Sequence, residues 1–283
     1  MSIWQQAASR RSLTIAATAA ACVISLGLGA NAALNNKLNP DPKPVSSIAQ
    51  YADSSRIALV IGNGRYPDAN APLVQPINDA RALSAALRRD GFDVDLVEDG
   101  RKDEMRRAVE RLKAKAQKGS VVMLFFGGYG VQADHQNYMI PVDAAIWKES
   151  DVKRDGVSIE SVLADLKNVG VSAKMVVVDA SRRNPYERRF RTYSRGLSPI
   201  NANGNTLILS SATAEKVADD SKGEHSVLVT ELLHQLNNAS AGDAENIFNR
   251  TRISVSQNSG GAQEQTVSSS LVEAVRFGQR AGS

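Results

Sequence analysis

The sequence predicts an α/β domain, with a mostly parallel sheet and helices on both faces. Three observations carry this. Continuous apolar runs of about five residues recur, as expected of strands buried on both sides. Between most of them lie stretches with a helical apolar stripe, several bounded by capping residues or glycine stops. The alternation starts at Arg56 and persists to the last helical stripe near Ser256, a pattern that selects crossover-connected parallel strands.

In order, Ile57-Ala58-Leu59-Val60-Ile61 is a buried strand ended by Gly62. Asn78 is placed to cap a helix running to Asp90, with Leu83 and Leu87 on one face and Gly91 as its stop. Phe92 to Val97 alternates like a half-buried strand. Met105, Ala108, Val109 and Leu112 form a helical stripe closed by Gly119, and 121–126 is a second buried strand. Residues 131–141 predict a hairpin turning near Asp134-His135. Ser158 caps a short helix carrying Ile159, Val162, Leu163 and Leu166. Strands follow at 175–178 and 206–209, then helices over 227–236 and 243–256. No internal repeat is present.

Ahead of this domain the composition changes. Arg10-Arg11 precede a small, apolar run from Leu13 to Ala30, and Ala30-Asn31-Ala32 offers an export cleavage site. Ser9-Arg10-Arg11-Ser12-Leu13 also resembles a twin-arginine signal. The run, residues 13–30, is at the lower length limit for a bilayer span. A cleaved signal peptide, an uncleaved inner-membrane anchor and a core helix therefore stay open. The first two place the domain outside the cytoplasm, in the periplasm or beyond. The resulting organisation is 1–32 signal or anchor, 33–55 a proline-containing linker, and 56–279 the domain. The single cysteine, Cys22, lies in the export segment, so an exported form has no cysteine nucleophile. A net charge of +4 with 5% aromatics and no basic stripe argues against a nucleic-acid partner.

In such folds chemistry gathers at the C-terminal ends of the strands, here near 62–67, 127–132 and 179–185. Gly62-Asn63-Gly64 invites a dinucleotide reading, but its third glycine would fall at Pro67, which lacks an amide donor. No G-x-S-x-G elbow occurs. His135, His225 and His234 show no ligand spacing, so no metal site is expected and each histidine reads as solvated surface. No cofactor is implied.

Five motifs in order nevertheless resemble bacterial caspase-like domains related to metacaspases. They are Arg56 to Asn63, Asn78-Asp79-Ala80, Phe125-Phe126-Gly127-Gly128-Tyr129-Gly130-Val131-Gln132, Asn137 to Asp143, and Val178-Asp179-Ala180-Ser181-Arg182-Arg183-Asn184-Pro185. Ser211-Ala212-Thr213-Ala214 and Ser268 to Leu271 extend the resemblance. It implies a caspase-like three-layer sandwich with a catalytic pair at adjacent strand ends. The family's histidine position holds Tyr129, and its cysteine position holds Ser181. A cysteine with a pKa of about 8.5 needs little help to ionise, whereas a serine needs a base beside it. A tyrosine with a pKa of about 10 is a poor base at neutral pH. His135 would be a displaced base only if the hairpin brought it inward.

The resemblance also implies that Asp79 and Asp179 line a pocket for an Arg or Lys side chain, which two carboxylates would hold by charge-assisted bonds. Equally open are scaffold roles: Asp79 stabilising its helix's first turn and Asp179 satisfying loop amides. The arginine-rich residues 182–195 read as a processing site, an anionic-partner patch or a solvated loop. Three functional readings result. One is an inactive pseudoprotease that binds or regulates through Arg/Lys-containing segments. The second is a hydrolase using Ser181 on Arg/Lys substrates. The third is an assembly protein retaining only the fold, with homodimerisation through the sheet edge left open.

Overall fold

The computed structural model describes residues 55–67, 73–180, 197–211, 223–238 and 242–278. The export segment and most of the linker lie outside these, as do Ser181 and the arginine-rich loop. Among the described residues, no helix is long and apolar enough to cross a membrane.

Six strands form the main sheet: β1 (Arg56–Gly62), β2 (Asp93–Glu98), β3 (Val121–Gly127), β7 (Ala173–Asp179), β8 (Thr206–Ser210) and β9 (Thr266–Ser269). Their order is β2-β1-β3-β7-β8-β9, parallel throughout except for β9, which runs antiparallel to β8. Among the described residues, six helices flank them: α1 (Gln75–Arg89), α2 (Lys102–Lys115), α3 (Glu149–Asp155), α4 (Ile159–Val169), α5 (Val227–Asn238) and α6 (Ala244–Asn258). A second sheet of three short strands, β4 (Gly130–Ala133), β5 (Gln136–Met139) and β6 (Val157–Ser158), follows β3.

The strict alternation of side chains along each strand divides the core into two layers. Ile57, Leu59 and Ile61 face α2 and α4 with Val122, Leu124, Phe126, Val176 and Val178. Ala58 and Val60 face α1, α5 and α6 with Met123, Phe125, Met175 and Val177. Because both layers are apolar, β1, β3 and β7 carry no polar alternation, which is why they read as continuous runs.

Most predicted turns and stops are present, although α2 ends at Lys115, with Ala116 already extended, four residues before the expected stop at Gly119. Gly91 (φ +83°) ends α1 in a left-handed cap, with Phe92 N–H donating to Leu87 O at 3.0 Å and Gly91 N–H to Arg88 O at 3.1 Å. Asp134 and His135 turn the β4–β5 hairpin with φ of 53° and 59°, the geometry of a tight primed turn. Ser158 Oγ accepts from Ser161 N at 3.1 Å, and Asp243 caps α6.

One start differs. Helix α1 begins at Gln75, three residues before Asn78, with Val74 at the cap position and Pro76 inside the first turn. Proline is at home there because its missing amide has no helical acceptor anyway. Asn78 is therefore helical and its side chain is free for another partner. Helix α3 and strands β6 and β9 have no counterpart in the sequence prediction.

Where the domain begins and closes, its ends are tied together. Arg56 donates to Asp90 at 3.0 Å and to the carbonyl of Arg276 at 2.8 Å, and it lies 5.5 Å over the Phe92 ring. Phe92 stacks on Phe277, and the Gly278 amide also donates to Asp90.

Candidate functional site

The C-terminal ends of β1, β3 and β7 lie side by side, with Gly62 paired to Gly127 and Gly127 to Asp179. Pairing continues past the strands: Gly128 N–H donates to Asp179 O at 3.2 Å and Gly130 N–H to Ala180 O at 3.3 Å. Asn63 joins the neighbouring loops. Its amide N–H donates to Gly127 O (2.8 Å), its Nδ2 to Ile140 O (3.0 Å), and its Oδ1 accepts from Gly100 N–H (2.8 Å).

The glycines here serve close approach. A Cβ on Gly62 would sit 2.3 Å from Pro76 O, so the residue lets α1 press directly onto the end of β1. On Gly128 (φ +153°) a Cβ would meet Tyr66 Oη at 2.6 Å. Thus Gly62-Asn63-Gly64 packs a helix rather than cradling a phosphate.

Tyr129 is 6% exposed and belongs to an apolar cluster with Tyr66, Val131, Tyr138, Ile140 and Ile146. Its ring lies 4.5 Å from that of Tyr66, centroid to centroid, at 56°. Tyr66 Oη accepts from Tyr129 N–H at 3.0 Å and donates to Ile140 O at 3.0 Å, and Ile140 N–H returns to Tyr129 O at 3.1 Å. A closed set of bonds therefore fixes the backbone on both sides of the Tyr129 side chain.

Across the strand ends the character changes. Asp179 is buried as the last residue of β7, and Asp79 is fully buried on α1. Asp79 Oδ1 lies 2.9 Å from His225 Nδ1, and its two oxygens accept from Ser226 N–H at 3.2 and 3.3 Å. Burial, and then the Asp179 charge, push the Asp79 carboxyl up to about 7, against the hydrogen bonds from Ser226 and His225. The structure thus brings the two carboxylates within electrostatic reach of each other.

Two expectations need correction here. Asp79 does not serve the first turn of its helix, since α1 starts four residues earlier and its first turn holds no acid. His225 is not a solvated surface histidine but the direct partner of Asp79. His135 and His234 are exposed, His135 at the hairpin tip. Sequence reasoning missed His225 because 146 residues separate it from Asp79. The local signal was indirect: Ser226 accepts from Val229 N–H at 3.1 Å, as the cap of α5, which fixes the residue before it at a helix entrance. Among the described residues, no group of three or more His, Cys, Asp or Glu is placed to hold a metal ion. Ser181, the sequence-predicted nucleophile position, lies outside the described residues.

The Caspase domain family matches residues 55–276. Human mucosa-associated lymphoid tissue lymphoma translocation protein 1 is 30% identical over 158 residues, 54% of this chain. Its Mus musculus homolog is 29% identical over the same length. The chain spans 18% of the length of these relatives. A solved protein from Geobacter sulfurreducens, GSU0716, shares the fold with a TM-score of 0.55 at 16% identity, over 75% of this chain and 92% of that one. With the family matched across the whole sheet and the strand ends arranged as described, the chain belongs to the caspase-domain family.

Proposed function

We propose that this caspase-domain chain is a pseudoprotease: it keeps an acidic site for Arg- or Lys-containing segments and has lost the nucleophile–base pair. The observation that carries this is the contrast at the strand ends. Tyr129, at the position that the family resemblance assigns to the histidine, is packed into an aromatic cluster. Asp79 and Asp179 remain as buried, mutually interacting carboxylates. A phenol is a weak base, whereas two carboxylates at one site favour a cationic guest. The binding role is regulatory or scaffolding, toward a peptide or protein segment rather than a small molecule. The pattern of residues 1–32 supports an exported or membrane-anchored setting for it.

The test is peptide binding and cleavage by the full chain. Arg- and Lys-terminated peptides should bind and remain intact. Tyr129→His with Ser181→Cys should then gain cleavage by at least about a hundredfold, the usual contribution of a working acid–base partner. Cleavage by the wild type that disappears in Ser181→Ala would overturn the reading.

That outcome would establish the second reading, a hydrolase using Ser181. One observation favours it. His225 bonded to Asp79 is an imidazole–carboxylate pair, the element that orients a base in serine hydrolases. Under this reading Tyr129 has no catalytic part, and His225→Ala lowers cleavage as far as Ser181→Ala does.

A further inference from the structure

Residues 223–226 run over one face of α1, and that face receives them in register. Gln75 Nε2 donates to the carbonyls of Gly223 (3.3 Å) and His225 (3.4 Å). Asn78 Nδ2 donates to the carbonyl of Glu224 at 3.1 Å. Asp79 accepts from the Ser226 amide and holds the His225 ring. Three side chains at i, i+3 and i+4 of one helix thus meet four consecutive residues of a bent loop segment, mostly through its backbone. This is the manner in which a groove holds a peptide, with main-chain bonds giving attachment and one side chain entering a pocket.

Only His225 among these residues carries a ring that reaches Asp79, and it is the accessible member of the pair. Its side chain is 28% exposed, whereas that of Asp79 is 1% exposed. The imidazole therefore stands between the carboxylate and solvent. It lies outside the apolar core clusters and is tied to α1 by hydrogen bonds, so it can swing away without unfolding the core. Burial of Asp79 beside Asp179 makes a cationic or donor partner at that carboxylate favourable, which gives His225 a reason to remain.

We infer that residues 223–226 are an internal ligand of the acidic site, with His225 occupying the Asp79 carboxylate that a basic guest side chain must take over. This rests on the basic-segment reading above. It adds that binding is competitive: the site is closed in the resting chain and opens by exchange of one donor for another. A guanidinium, with five donors in a rigid fork, replaces an imidazole more completely than an ammonium does, so arginine is preferred over lysine.

The probe is an acetylated Gly-Gly-Arg amide titrated into the full chain, with the ring nitrogens of His225 followed by NMR. His225→Ala should bind it about tenfold more tightly than wild type, the effect of removing one competing charge-assisted bond. His225→Gln, which keeps a donor, should fall between the two. In the wild type, saturation with the peptide should move the His225 Nδ1 signal from its Asp79-bonded position. This readout stands even if the alanine variant does not fold. Equal affinity in all three proteins with an unmoved His225 signal would overturn the internal ligand while leaving the basic-segment reading intact. Absence of binding in wild type and in both folded variants would overturn both.

Discussion

The two sides of the site teach opposite lessons about what a fold conserves. Around Tyr129, every interaction described is one that packing alone would select: tilted rings, a buried hydroxyl with both a donor and an acceptor, and glycines that permit close approach. Around Asp79, the arrangement works against stability. A fully buried carboxylate beside a second one lifts its pKa to about 7, so at neutral pH part of the folding free energy goes into keeping charge out of water. A core has no need of such a pair, and apolar side chains would fill the volume at lower cost. The aromatic side therefore explains itself as structure, whereas the acidic side departs from what packing alone would select.

The sharpest way to break the aromatic side is Gly128→Ala. Its Cβ would fall 2.6 Å from the doubly bonded Tyr66 hydroxyl at a positive φ, so we expect a loss of about 3 kcal/mol, measured by urea unfolding. Tyr66→Phe is milder. It leaves Tyr129 N–H buried without this acceptor and Ile140 O with the Asn63 donor alone, with an expected cost of about 2 kcal/mol in the same assay. Neither variant should alter the pH dependence of stability, because neither touches the carboxylates.

Asp79→Asn sharpens the other side, and its effect shows as a change in pH dependence rather than as a fixed loss. The folded pKa of Asp79, about 7, exceeds the ordinary carboxylate value of 3.8. The folded state therefore holds this proton more tightly, and the stability it contributes is full below about pH 4 and lost as pH rises through 7. The asparagine variant lacks this loss. Its stability relative to wild type should climb between pH 4 and pH 8 by up to about 4 kcal/mol, the linkage expected for a shift from 3.8 to about 7, followed as melting temperature. Parallel curves for the two proteins would show that the Asp79 proton is not linked to folding.

Much of the fold was legible because its strongest features are local. Strands β1, β3, β7 and β8 sit between two apolar layers, and only unbroken apolar runs fit there. Gly91, Ser158 and Asp243 act through neighbours within a few residues, so their sequence signals survive intact. What escaped is what depends on distant partners. Helix α3 has seven residues and is held by ions: Arg154 bridges Asp151 and Asp155, and Lys102 reaches Asp155. It shows too little apolar periodicity to be recognised. Strand β9 reads Thr-Val-Ser-Ser and becomes a strand by pairing with β8. Asn78 carries a cap residue's chemistry but spends it on Glu224 across the fold. In the candidate site, Asp79 and Asp179 were visible through their motifs, whereas the His225 contact emerges only in three dimensions.

The knot of Arg56, Asp90, Phe92, Arg276 and Phe277 has a consequence for architecture. The first strand enters and the last described residues leave at one spot, clasped by the same aspartate. Such a domain is a cassette with a shared doorway: a longer polypeptide can carry it as an insert while its sheet and strand ends stay undisturbed. Shortening the chain before Arg276 removes the doorpost of that entrance, and the damage then reaches β1, at the opposite end of the sequence.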